Sequence, residues 1–159
     1  MTRKDKQNYY LDIADAIRSR STCLRRQYGA IIVNHDEIVA TGYNGAPRGR
    51  KNCDDMGYCL RDAKGIPSGQ QYELCRSVHA EANAIISASR ENMLEGTLYL
   101  VGRDAKTGEL LDAAPCSMCR RLIINAGIRE IICRNADGNF RAFTVHDLVY
   151  DDDTLGRQA

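Results

Sequence analysis

Two short segments constrain this chain more than any other feature: His79-Ala80-Glu81 and Pro115-Cys116-Ser117-Met118-Cys119. Each places metal-capable side chains where a stretch of helical apolar spacing begins. Cys116 and Cys119 stand three apart, so at a helix start both sulfurs can aim at one point. His79 can add a third donor from the start of another helix. Three protein ligands leave the fourth tetrahedral position of Zn²⁺ open to water, which is the catalytic rather than the structural pattern. The positive ends of the two helices favour thiolate. A bound zinc brings the pKa of its water down to about 7. Glu81 then has a role, because a carboxylate beside that water can take its proton and pass it on.

Each segment has a plainer reading. A lone H-x-E is commonly a surface pair, and a lone C-x-x-C commonly belongs to a structural zinc or a redox site. Their co-occurrence in this order, each at a helix start, outweighs those readings. H-x-E with P-C-x-x-C is already the established signature of zinc deaminases, the glutamate being the acid/base and not a ligand. The assignment of His79, Cys116, Cys119 and Glu81 is thus a pattern match.

The rest of the chain reads as alternating helices and strands after an opening hairpin. Apolar spacing predicts a first helix over residues 4–20. Two β-rich runs, 30–33 and 38–41, flank the turn Asn34-His35-Asp36-Glu37. A helix is expected over 78–90, a third strand at 96–103, and a helix over 116–128 with Gly127 as C-cap. A fourth strand follows at 129–135, a turn at 137–139 and a fifth strand at 140–145. The polar tail at 151–159 is expected to fray. The expected class is α/β, with a five-stranded mixed sheet between helices. One domain spanning 1–159 is expected, with a cysteine-rich irregular insertion at about 43–75.

The 159 residues are 43% apolar and 27% charged, a globular balance, with a formal net charge of +1. That near-neutral charge argues against wrapping nucleic acid. No apolar run approaches the roughly 20 residues of a membrane helix. The charged N-terminal stretch has no signal-peptide pattern, so a cytoplasmic location is expected. Seven cysteines in a reducing compartment point to metal or catalysis rather than disulfides.

From about Tyr10 to Val145 the sequence resembles the cytidine/deoxycytidylate deaminase superfamily, and more narrowly its deoxycytidylate (dCMP) branch. The segments YGAIIV, ATGYNGAPRG and VHAEANAI carry that resemblance beside the zinc motifs. It implies a three-layer α/β/α fold and hydrolytic deamination of dCMP to dUMP and ammonia, supplying dUMP for thymidylate synthesis. It implies that Glu81 protonates the ring N3 and then carries a proton to the departing amine. Asn44 matches a sugar-contacting asparagine, and Ala80 a position whose backbone amide meets the pyrimidine carbonyl. Arg26 is a candidate for the substrate phosphate, since a guanidinium suits phosphate geometry. Arg25 beside it, and Arg120 and Arg121 after the C-x-x-C, are equally readable as phosphate contacts or as solvated surface.

Cys23, Cys53, Cys59 and Cys75 lie in or near the irregular stretch. Four thiolates holding a structural zinc would explain how that stretch is ordered. The alternative is burial as small hydrophobes. Some dCMP deaminases carry such a second zinc, with cysteines placed like Cys23 and Cys53 and with histidines completing the set. This chain has no histidine between His35 and His79, so Cys59 and Cys75 would have to substitute. Cys133, in an apolar strand, reads as core; His35 and His146 read as exposed. The glycines of GYNGAPRGRKN, with Gly45, Arg48, Gly49, Arg50 and Lys51, can bring backbone amides and charge to an anion. By resemblance this loop binds an allosteric nucleotide, dCTP activating and dTTP inhibiting, in a homohexamer; otherwise it is a basic turn.

Three other functions fit the metal motifs: deamination of another cytosine nucleoside or nucleotide, deamination of transfer-RNA adenosine, and a nonenzymatic zinc-binding module. Glu81 separates the last from the others, because a module that only binds metal has no need of an acid/base beside it.

Overall fold

The computed structural model describes residues 2–152. The chain opens with α1 (Lys6–Arg18), capped by the Asp5 carboxylate, which accepts from the Asn8 backbone N–H at 2.8 Å. The strands β1 (Arg26–Asn34) and β2 (Glu37–Tyr43) form an antiparallel hairpin. Its two turn residues, His35 and Asp36, have φ of 50° and 60°. Two left-handed residues give the turn a twist that suits the flanking strands. Asp36 also accepts a 2.5 Å hydrogen bond from the Tyr10 hydroxyl, tying the turn to α1.

The stretch after β2 carries only short helical pieces: α2 (Cys53–Met56), α3 (Leu60–Ala63) and a single 3₁₀ turn, Tyr72–Leu74. Next come α4 (Ala80–Ile86), α5 (Arg90–Met93), β3 (Thr97–Asp104) and α6 (Ser117–Ala126). The described chain ends with β4 (Glu130–Arg134), β5 (Phe140–Thr144) and α7 (Val145–Tyr150). Gly127, at φ 79°, terminates α6 in the left-handed conformation.

The five strands form one sheet in the order β2-β1-β3-β4-β5. The pair β3–β4, joined through α6, is parallel; the other pairs are antiparallel. On one face α1 buries Tyr10, Leu11 and Ala14 against Ile31, Val33, Tyr99, Val101 and Ile132. On the other face Ala80 and Ala84 of α4 and Ile123 and Ala126 of α6 cover Ala30, Ile32, Leu98, Leu100 and Ile131. The mixed sheet thus lies between two helical layers.

Two glycines set how closely the helices approach. A Cβ on Gly29 would meet the Ala14 carbonyl oxygen at 2.0 Å, and one on Gly42 the Ala80 carbonyl oxygen at 2.3 Å. Helix backbone therefore rests directly on strand backbone, α1 over β1 and α4 over β2.

Three expectations need correction. The periodic run at 78–90 is not one helix. Its first piece ends at Ile86, and Ser89 caps α5 by accepting from the Asn92 N–H at 3.2 Å. Ser-Ala-Ser places an N-cap inside a run whose apolar spacing alone reads as continuous. Helix α7 went unforeseen: Thr144 caps it at the end of β5, accepting from the Asp147 N–H, and the helix buries only Val145. The region read as irregular, 43–75, contains three short helical segments. Of the tail expected to fray, residues 153–159 lie outside the described part. Among the described residues no helix is long and apolar enough to cross a membrane.

Candidate active site and metal centre

Helices α4 and α6 start side by side at one end of the sheet. His79 is the N-cap of α4 and Cys116 the N-cap of α6. Neither side chain caps its own helix, so both are free to turn toward the space between the two starts. His79 Nδ1 lies 3.5 Å from the sulfur of Cys116 and 3.5 Å from that of Cys119. Among the described residues this is the single trio of His, Cys, Asp or Glu whose ligand atoms all lie within 4.8 Å of one another.

The spacing suits zinc. With bonds of about 2.3 Å to sulfur and 2.0–2.1 Å to nitrogen at tetrahedral angles, the two donors stand about 3.5 Å apart. The protonation pattern also prepares the site for a cation. Cys116 is lowered to about 4, first by the hydrogen bond from the Cys119 thiol; burial opposes this, and His79 supports it. That same hydrogen bond, with burial and the nearby Glu81 charge, pushes Cys119 up. His79 is raised through its hydrogen bond to Cys116. The protons held on His79 and Cys119 are the ones a bound divalent metal would displace.

Glu81, on the first turn of α4, is 5% exposed. Burial pushes its carboxyl above the ordinary range, opposed by its interactions with the Cys119 side chain and with His79. A buried carboxyl touching a metal-ligand sulfur is well placed for proton transfer. Ala80 is fully buried at the first position of α4, where a backbone N–H has no intrahelical partner.

A cavity opens over these groups, lined by His79, Ala80, Glu81 and Cys116 on one side and by Tyr28 and Asn44 on another. Asn44, 6% exposed, is heavily committed within the protein. Its Oδ1 accepts from Ser21 Oγ at 2.5 Å and from the Tyr28 N–H at 2.8 Å, and its Nδ2 donates to the Arg26 carbonyl at 2.8 Å. One amide hydrogen remains for a ligand. Arg26 is exposed at the rim and interacts with the Tyr28 hydroxyl, whose pKa burial raises and Arg26 pulls back. Arg25 is engaged by Asp62 at 3.1 Å. Arg120 turns back, donating from Nε to the Pro115 carbonyl at 3.0 Å, and is not part of the cavity wall.

Sequence reasoning missed six residues of that wall: Tyr28, Arg61, Ser68, Tyr72, Ser77 and Ala114. The irregular stretch brings in Arg61, Ser68 and Tyr72, and its lack of periodicity gave no signal for them.

Cys23, Cys59 and Cys75 also line the cavity, while Cys53 is buried at the start of α2. Burial raises the Cys53 thiol, and the neighbouring Cys23, Cys59 and Cys75 push the same way. The four are therefore neighbours, but no three of their sulfurs come within 4.8 Å of one another. Gly45, Arg48 and Gly49 fall elsewhere, in a second cavity shared with Arg20, Arg50 and Asn83. One link joins the two: Gly45 and Val78 exchange backbone hydrogen bonds of 2.7 and 3.2 Å just before His79. Cys133 is fully buried in β4, and His35 and His146 are exposed.

An α/β/α sandwich with a His-Cys-Cys trio at two adjoining helix starts, and a buried glutamate against it, defines a zinc-dependent deaminase class. The profile of the cytidine and deoxycytidylate deaminase zinc-binding region matches residues 4–135, and the chain belongs to that family. It is 36% identical over 137 residues to the deoxycytidylate deaminase of Mycobacterium phage D29, covering 83% of this chain and 96% of that one. It is 34% identical over 130 residues to the deoxycytidylate deaminase of Schizosaccharomyces pombe; this covers 82% of this chain but spans only 37% of the yeast protein. The dCMP deaminase of cyanophage S-TIM5, solved in complex with dCMP and dUMP, superposes with a TM-score of 0.61 at 25% identity, covering 85% of each chain.

Proposed function

We propose that this protein is a zinc-dependent aminohydrolase that converts dCMP to dUMP and ammonia. The observation that carries the reading is the buried Glu81 carboxyl beside Cys119 at a trio spaced for zinc. Kinship with the phage, yeast and cyanophage dCMP deaminases supports the choice of substrate.

His79, Cys116 and Cys119 would hold the metal, which when bound supplies the Lewis acidity that activates water toward the amine-bearing ring carbon. Glu81 takes a proton, delivers one to the ring nitrogen, and carries another to the leaving amine. Its burial keeps those transfers away from bulk water. The free Ala80 N–H donates to the pyrimidine carbonyl and so fixes which ring edge faces Glu81. The remaining Asn44 amide hydrogen is available to the sugar.

Three further assignments belong to this reading. Cys23, Cys53, Cys59 and Cys75 hold a second, structural zinc; their mutual proximity supports this, and metal binding must draw the sulfurs together. Metal analysis tests it: two zinc ions per chain are expected, and one would overturn it. The cavity holding Gly45, Arg48 and Gly49 takes a nucleotide effector such as dCTP or dTTP, supported by its three arginines and by its link to His79 through Val78. Flat activity curves on titration with both would remove that role. The protein self-associates, as a hexamer by family likeness, supported by exposed apolar side chains such as Ile86 at 75%. Native mass spectrometry reads the assembly directly.

The principal test is ammonia release by zinc-loaded protein from cytidine, CMP, dCMP and dCTP. Preference for dCMP is expected. No release from any cytosine substrate would end the enzyme reading.

A further inference from the structure

The backbone of His79 is fixed from both sides. Its carbonyl accepts from the Asn83 N–H at 3.0 Å, and Val78 before it exchanges hydrogen bonds with Gly45. Its ring is held differently. Nδ1 faces the two sulfurs, and among the described residues no hydrogen bond reaches Nε2. A metal-bound histidine almost always has that second nitrogen held by a carbonyl or carboxylate, which sets the ring's orientation.

The contact the structure offers instead is aromatic. Tyr72 lies nearly perpendicular to His79, with ring centroids 5.0 Å apart and planes at 80°. In that geometry the positive edge of one ring meets the negative face of the other.

Tyr72 is itself clamped. The Arg61 guanidinium carbon sits 4.6 Å over its ring. Arg61 Nη2 donates to the carbonyls of Pro67 and Gln70 at 2.8 and 2.7 Å, just before the 3₁₀ turn that carries Tyr72. Gln71, at the start of that turn, is left-handed with φ 50°. A non-glycine residue keeps such a conformation only where its surroundings enforce it. Arg61 is 5% exposed and its Nε has no hydrogen-bond partner, so the π face of Tyr72 compensates the buried cation. One side chain thus pins both the tyrosine ring and the backbone leading into it.

We propose that Tyr72 is a positioning residue that orients the His79 imidazole toward the metal, with Arg61 clamping Tyr72. The inference rests on the reading of the trio as a zinc site. Tyr72 touches no reacting atom in this role. It narrows the torsions open to the His79 ring, so that little side-chain freedom is lost when Nδ1 takes the metal.

The chain has three histidines, and His35 and His146 are exposed. Histidine-selective nitrogen NMR of the zinc-loaded protein therefore isolates His79, apart from any zinc held by cysteines alone. Under excess chelator, the rate at which its Nδ1 signal passes from metal-bound to free should rise about tenfold in Tyr72→Leu and Arg61→Met. Tyr72→Phe keeps the ring and should stay near the wild-type rate, with Arg61→Lys between the extremes. The His79 ring-proton shifts should move in Tyr72→Leu, as the neighbouring ring current is lost, and hold in Tyr72→Phe. Wild-type release or unmoved ring protons in Tyr72→Leu would overturn the proposal, as would release in Tyr72→Phe as fast as in Tyr72→Leu. The Tyr72 pair decides the matter should the Arg61 variants fold poorly, because Tyr72 is only half-buried. A wild type with no metal-bound His79 signal would sink the zinc reading itself, and the proposal with it.

Discussion

Gly42 of β2 lies directly beneath the Ala80 carbonyl of α4, so closely that a Cβ would sit 2.3 Å from that oxygen and 2.5 Å from the Ala84 nitrogen. Both obstacles are helix backbone and cannot rotate aside. Gly42→Ala must lift the helix start that carries His79 and Glu81. Overpacking of this kind costs about 1–3 kcal/mol, read from urea midpoints. Zinc retention against a chelator should weaken in step. Gly29→Ala is the matched control: it crowds Ala14 and Arg18 of α1 on the opposite face, and should destabilise the fold with a smaller effect on zinc.

Asn44 makes a second prediction that separates two roles. A residue needed only to touch a sugar would alter KM and leave stability alone. Here the side chain holds Ser21, the Tyr28 N–H and the Arg26 carbonyl together. Asn44→Ala strands those groups, and each unsatisfied buried group costs about 1–3 kcal/mol. Thermal and urea unfolding should therefore show a large loss even without substrate. Unchanged stability would mean the network is dispensable.

What could be read from the sequence follows how local each feature is. The metal trio was legible because Cys116 and Cys119 sit one turn apart and His79 opens its own helix. The sheet was legible because β1, β3 and β4 are continuous apolar runs, buried on both faces. The break at Ser87–Ser89 was not, since periodicity cannot see a cap. Nor were Arg61 and Tyr72: the segment that carries them has no repeating pattern, and only the fold brings them to the cavity over the metal trio. Asn44 was singled out for the sugar, while its larger structural task depends on Ser21 and Tyr28, far away in sequence.

Glu81→Gln preserves size while removing the acid/base. Zinc content should stay at the wild-type level, because His79, Cys116 and Cys119 supply the ligands. Turnover of dCMP should fall about 10²–10⁴-fold, the usual weight of general acid–base catalysis, with dUMP affinity nearly unchanged. Loss of zinc with the substitution would assign the carboxylate to the metal instead.

Asp15 yields a prediction about acid stability that leaves the active site untouched. Burial opposes its ionisation, but hydrogen bonds from Arg103 and Arg18 outweigh that and hold its pKa below the usual 3.8. Arg103 grips both carboxylate oxygens at 2.9 Å, and Arg18 Nε lies at 2.6 Å, so the cluster ties α1 to β3. A pKa lowered on folding stabilises the native state above the unfolded value. That contribution is complete above about pH 5, shrinks as pH falls below about 4, and vanishes once the pH has dropped through the folded value. Asp15→Asn never has it. The stability gap between wild type and Asp15→Asn, from urea midpoints across pH, should be constant near neutrality and close on acidification. Comparing the two proteins at each pH cancels the titration of the other carboxylates and of the metal ligands. A gap that persists unchanged to about pH 2 would show that the two arginines do not bias the ionisation of Asp15.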